Sequence, residues 1–375
     1  MRSPNIRYFP AVDHLRAFAA LLILFYHGLH LFSFDSRFHR PFDTHSWLRS
    51  GNPLLGALIE GHIAVSLFMV LSGFILTYGV LDSDVVWRGF VRNRLLRTYP
   101  LFLLLLFVGI AAEPQFFAWM PFLQTIFGLA NMPGALVAPP FTVMLWTVAV
   151  EWQFYLLFPF LLLVLKPAWT KNVLGLVAVV LVFRALAVLN GGDVQDLTYS
   201  TIVGRLDQFL IGMWAAWLFK TRPLTARKGA LIAVSALVVI VVALNVYNAA
   251  GGWPTTASWK IAWPTVEAVA CAAFVIGYVA AANSARGLWS RVLARIGEIS
   301  YSMYLIHFVV IQTIVLRGYA VAFTGRATVD ALLNTVLFAL PATLVLSTLT
   351  FTFVEQPFLR MRRSYKRDAV PAAVG

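Results

Sequence analysis

Residues 11–31 read AVDHLRAFAALLILFYHGLHL, an apolar run interrupted by Asp13, Arg16 and the histidines His14, His27 and His30. At 1.5 Å per residue such a run makes a helix of about 30 Å, the thickness of a bilayer's hydrocarbon core. Lipid offers the backbone no hydrogen-bond partner, so the run is expected to span as a helix. Working outward, similar runs predict further spans near 61–80, 98–113, 144–165, 173–190, 204–219, 229–247, 262–282, 298–317 and 329–352. The composition agrees: 60% of residues are hydrophobic and 12% charged, against roughly 25% charged in a soluble domain. A water-soluble globule is excluded, and the expected fold is an all-α polytopic membrane bundle of about ten transmembrane helices.

Charge fixes the expected orientation. Of 29 Lys and Arg, 20 fall in segments on the side of the termini, 6 on the opposite side, and Arg16, Arg184 and Arg205 lie inside spans. Both termini are therefore expected in the cytoplasm. The net charge of +13 sits in short clusters between apolar runs, so topology rather than nucleic acid accounts for it. Asp13, His14 and Arg16 interrupt the first run and no small-residue cleavage site follows, so a retained helix is expected rather than a signal peptide. Residues 114–143, with five prolines, are too broken for a straight span and read as an outer re-entrant or interfacial loop. The single cysteine, Cys271, allows no internal disulfide and no thiolate metal cluster, so chemistry falls to His, Asp, Glu, Arg, Ser or Tyr.

Ionisable groups inside spans cost a few kcal/mol and call for a reason. Asp13, Arg16 and His27 share one stripe of the first helix, within about 40°, with Arg16 and His27 about 16 Å apart along the axis. Arg16 then marks the cytoplasmic end and His27 the outer half. Glu151, near the outer end of the fourth span, reaches a similar depth and would hold the His27 ring in one tautomer as a general base. The plainer alternative is an Asp13–Arg16 interfacial pair, a packed His27, and a Glu151 bonded to Trp or backbone. In the ninth span Ser300, Tyr304 and His307 share a face; His307 either lines the same cavity or bonds a neighbouring helix. Arg205 and Asp207 read as an interfacial pair or as lining of the outer cavity, Ser72–Gly73 as close helix packing, and Glu267 has no evident partner. The run Arg88, Arg92, Arg94, Arg97 serves equally as a positive-inside anchor or as a dock for phosphates.

Several blocks together resemble the acyltransferase-3 family of integral membrane acyltransferases. They are Asp13-His14-Leu15-Arg16 with His27, Leu67-Phe68 through Ser72-Gly73-Phe74, Arg94 through Tyr99-Pro100, Trp146 through Glu151 to Tyr155 and Pro159, Ser300 through His307, and Glu355-Gln356-Pro357. The resemblance runs from residue 9 to about 360. It implies transfer of an acyl group, commonly acetyl from acetyl-coenzyme A, to a hydroxyl of a carbohydrate, a lipid-linked molecule or another envelope or exported acceptor, in a bacterial inner membrane. An acyltransferase-3-type domain over 1–360 and a short basic cytoplasmic tail over 361–375 follow. Met69 stands where the family usually has a second aromatic residue, and Thr147 where a serine is common; members with an extracytoplasmic esterase-like extension exist, and residues 1–375 contain none. The expected site comprises His27 and Glu151 as catalytic groups, Arg16, Arg92, Arg94 and Arg97 for acyl-coenzyme A, and Asp13, Tyr155, Tyr304 and His307 along the cavity, without metal. The rival reading is a transporter of a lipid-linked sugar or small anion, whose pathway buried His, Glu and Arg would also line.

Overall fold

The structure, a computed structural model, describes residues 9–39, 42–282 and 285–368. It is all-α apart from a two-stranded antiparallel pairing of Ser83–Val85 with Lys366–Asp368. The principal helices are α1 (Pro10–Phe38), α2 (Ile63–Val80), α3 (Trp87–Ala112), α4 (Leu145–Leu165), α5 (Trp169–Leu189), α6 (Leu206–Thr221), α7 (Ala226–Ala249), α8 (Trp263–Ala282), α9 (Leu288–Glu298), α10 (Ser300–Leu316) and α11 (Ala327–Arg360). Among the described residues eight of these are long and apolar enough to cross a membrane, or nine if the bent pair α9–α10 counts as one. The protein is an integral membrane protein.

The burial pattern suits lipid rather than water. The apolar side chains Leu174, Val179, Val182 and Leu186 of α5, and Leu231, Val234, Val238 and Val242 of α7, are exposed, as a hydrocarbon solvent permits. By contrast α1 and α2 are mostly enclosed by their neighbours, so the ionisable residues of the first run sit at the centre of the bundle. Helix α2 crosses α6 with backbones in contact: a Cβ on Gly73 would overlap the carbonyl oxygen of Phe209, and one on Gly212 that of Val70. Small residues on both partners permit this approach.

Three predicted spans change shape. The third begins at Trp87, not near 98, because the arginine run continues the helix instead of preceding it. The sixth, α6, has 16 residues and rises about 24 Å, short of the roughly 30 Å core. In the ninth, α9 meets α10 at a 70° bend. The bend falls beside Gly297, where a Cβ would strike the backbone of Asp13. The proline-rich segment 114–143 is broken as expected into short turns, including Pro114–Phe116, Trp119–Gln124 and Thr125–Leu129. Residues 369–375 of the expected tail lie outside the described residues. The part before them is tied down, since Asn93 Nδ2 donates to the Arg363 carbonyl at 2.6 Å and Val86 N to that of Tyr365 at 2.8 Å.

Candidate active site

A cavity of about 880 Å³ opens between α1, α2, α3, α4 and α10. Its charged end is built from α1 and α3. Because α3 is helical through the arginine run, Arg94 and Arg97, three residues apart, share a face and both line the cavity, together with Arg16. Arg97 Nη1 donates to Glu355 Oε2 at 2.8 Å, and Arg16 Nη1 to Asp13 Oδ1 at 3.2 Å. Arg94 is buried above the rings of Phe90 and Tyr155, its guanidinium carbon 5.7 and 5.5 Å from their centroids, and its Nε has no hydrogen-bond partner.

A fourth arginine, Arg362, approaches these three from the tail without lining the cavity. Asn93 also accepts from the Arg363 backbone N–H at 3.2 Å, and Arg362 Nε donates to the Leu359 carbonyl at 3.1 Å. Burial, followed by the proximity of Arg97, Arg94 and Arg16, lowers the Arg362 pKa to about 10. Among the described residues, no carboxylate forms an ion pair with Arg94 or Arg362. Among the described residues the mouth therefore holds guanidinium groups without a carboxylate partner, an arrangement that suits an anion.

Deeper in, Glu151 accepts from Ser72 Oγ at 2.6 Å, and Thr147, Tyr155 and Tyr304 complete the far wall. Past the Tyr304 ring lies a pair of histidines. The centroid of Tyr304 is 5.8 Å from that of His307, which is 5.0 Å from that of His27. His307 Nδ1 is 3.0 Å from the Met303 carbonyl, and His27 Nδ1 is 3.1 Å from the Ile23 carbonyl and 2.9 Å from His307 Nε2. Carbonyls only accept, so both Nδ1 atoms carry hydrogen; His307 Nε2 is then the acceptor and His27 Nε2 keeps its lone pair. His307 is fully buried and His27 half-buried. The two imidazoles are thus joined through one nitrogen of each, with the Nε2 of His27 left free of that contact.

The predicted residues are thus partly assembled. Arg16, Arg94, Arg97, Glu151, Tyr155 and Tyr304 share the cavity; His27 and His307 are not among its lining residues and stand one ring beyond it. Glu151 does not orient His27: it turns to α2, and His307 takes that place because α10 lies against α1 at the same depth. Arg92 faces the tail, with Nη2 3.3 Å from the Met361 carbonyl, and Arg88 is exposed. Asp13 is the partner of Arg16. Ser72, read as packing, holds Glu151. Asp207 pairs with Arg184 at 2.6 Å rather than with Arg205. Arg362 was missed; the only hint in the sequence is its place in the basic cluster seven residues after Glu355.

The structure thus places an arginine-mouthed cavity, with two paired imidazoles one ring beyond it, inside an all-α membrane bundle. A family described as an acyltransferase domain matches residues 9–353. The chain belongs to that family, acyltransferase-3, and is an acyltransferase. It is 26% identical to the acyltransferase MdmB of Streptomyces mycarofaciens, over 96% of this chain and 93% of that protein. It is 24% identical to proteins of Staphylococcus aureus strains COL and MSSA476 named "Putative O-acetyltransferase", covering 94% of this chain and 58% of each of theirs. No solved structure matches the chain.

Proposed function

We propose that the chain transfers an acetyl group from acetyl-coenzyme A to a hydroxyl of a carbohydrate or similar envelope acceptor, across a bacterial inner membrane with the arginine mouth facing the cytoplasm. The names of the staphylococcal relatives support the O-acetyl reading, and the excess of Lys and Arg on the side of the termini supports the orientation. Arg94, Arg97, Arg16 and Arg362 would take the donor's phosphates, and the narrow pantetheine arm would run past Ser72 and Glu151 toward Tyr304.

In this scheme His27 Nε2 removes the proton from the acceptor hydroxyl as its oxygen attacks the thioester carbonyl. Collapse of the tetrahedral intermediate breaks the C–S bond, and the imidazolium returns the proton to the departing thiolate. His307 Nε2, accepting from His27 Nδ1–H, holds the tautomer and stabilises the charged ring. The observation that carries the reading is the His27–His307 contact of 2.9 Å, one ring beyond the Tyr304 wall of an arginine-lined cavity.

The test is replacement of His27 by Ala in purified protein, followed by transfer of labelled acetyl. Loss of a positioned general base costs about 10²–10⁴-fold; the expected result is a loss in that range with acetyl-coenzyme A affinity retained. Transfer at the unaltered rate would overturn the assignment.

A further inference from the structure

Helix α9, with the sequence LWSRVLARIGE, takes no part in the scheme above, and its surface divides into three sectors. At about 3.6 residues per turn, Ser290, Leu293, Ala294 and Gly297 share one of them, and that sector is turned to α1. His14 Nε2 of α1 lies 3.0 Å from both the carbonyl and the hydroxyl of Ser290, and a Cβ on Gly297 would strike the Asp13 backbone. The second sector carries Leu288, Trp289 and Val292, which are 66%, 80% and 40% exposed. Arg291 and Arg295 occupy the third.

The open sectors combine grease with unpaired charge. Arg295 is paired with Glu298. Among the described residues no carboxylate forms an ion pair with the exposed Arg291, or with the exposed Arg286 just before the helix. Three large apolar side chains beside two such guanidinium groups call for a partner that is apolar and anionic at once. The position supplies one. Helix α9 turns by 70° from α10, so with α10 crossing the bilayer α9 lies nearly along its surface. It does so on the side of Asp13 and Arg16, where the arginine mouth opens.

We infer that α9 is a docking surface for anionic phospholipid. Leu288, Trp289 and Val292 enter the boundary between headgroups and acyl chains, and Arg286 and Arg291 take the headgroup phosphates. A free phosphate in solution is not the occupant, because it offers the apolar sector nothing. The inner sector meanwhile holds the turn of α1 that carries Asp13 and His14, so the lipid-bound helix abuts the arginine mouth.

The experiment uses the full chain carrying Val292→Cys, labelled there with an environment-sensitive fluorophore, in nanodiscs of phosphatidylcholine mixed with phosphatidylglycerol. The native Cys271 is buried and leaves the label to position 292. A nitroxide near the headgroup end of the acyl chain is carried by phosphatidylglycerol in one preparation and by phosphatidylcholine, at equal content, in the other. Nitroxide lipid should quench the label while the water-soluble quencher acrylamide should not, and nitroxide phosphatidylglycerol should quench at least twofold more than nitroxide phosphatidylcholine. Adding Arg286→Gln and Arg291→Gln should bring the two lipids level while acetyl-coenzyme A affinity stays within twofold. Equal quenching by the two lipids before the arginines are changed would overturn the inference. So would a label quenched by acrylamide, a label shielded from lipid and water alike, which would mean that protein covers the face, or a tenfold loss of acetyl-coenzyme A affinity on changing the arginines, which would give them to the donor.

Discussion

The arginine-mouthed cavity and a smaller one near the N-terminal end of α2, walled by Tyr199, Tyr247, Trp253 and Trp263, are built from the same kinds of residue and differ in how their charges close. Each holds a buried arginine with an unpartnered nitrogen, Arg94 in one and Arg205 in the other, and each is walled by aromatic rings. Around Arg94 the neighbours are further arginines, and the carboxylates Asp13 and Glu355 are already taken by Arg16 and Arg97. Around Arg205 the carboxylates Glu60 and Glu267 both face His62, at 3.5 and 3.1 Å. The first arrangement suits an anion from outside the protein, while the second satisfies most of its charge internally. Residue type does not separate the two cavities; the pairing of their charges does.

That contrast can be broken by substitutions in the arginine cavity. Arg94→Gln should have the largest effect on the donor: a charged hydrogen bond contributes about 1.5–3 kcal/mol, roughly 10–100-fold in affinity. Isothermal titration with acetyl-coenzyme A reads it directly, and stability should hardly move because no carboxylate loses a partner. Arg97→Gln should behave differently, since it leaves the fully buried Glu355 with the Ser302 hydroxyl but no cation. Thermal unfolding should reveal a destabilisation of about 1–3 kcal/mol, relieved when Glu355→Gln is added. If Arg97→Gln weakens the donor with stability intact, the Glu355 bond is not structural.

A smaller effect is expected from Arg362→Gln, because this arginine is only half-buried and acts at the rim. Donor affinity should fall two- to fivefold, and its dependence on salt should flatten, since partly exposed charges are screened over about a Debye length. Donor affinity and salt slope both equal to those of the unaltered protein would remove the tail from the donor site.

Much of this was legible in the sequence for a simple reason. Hydropathy reads the length of an apolar run, and length decides spanning, so nearly every span from residues 11–31 onward was found. What hydropathy cannot read is where a helix continues through charge: α3 begins at Trp87 because arginine is a good helix former, and only that continuity puts Arg94 and Arg97 on one face and Arg92 on another. Arg16 lines the cavity with Arg94 and Arg97, whereas His27 stands one ring beyond it. Partners were not legible. Helical spacing orders residues on one helix, whereas the choice between Glu151 and His307 as the neighbour of His27 depends on how α4 and α10 pack against α1. Arg362 escaped because strand pairing between residues 83–85 and 366–368 joins segments far apart in the chain. Glu267 found partners in His62 and Ser66 for the same long-range reason.

The central claim is that His27 and His307 act as one base, and a double-mutant cycle on acetyl transfer tests it most directly. His307→Ala alone should slow transfer about 10–100-fold, and adding it to His27→Ala should cost nothing further, because the ring it orients is already gone. Independent losses that multiply in the double variant would contradict the account.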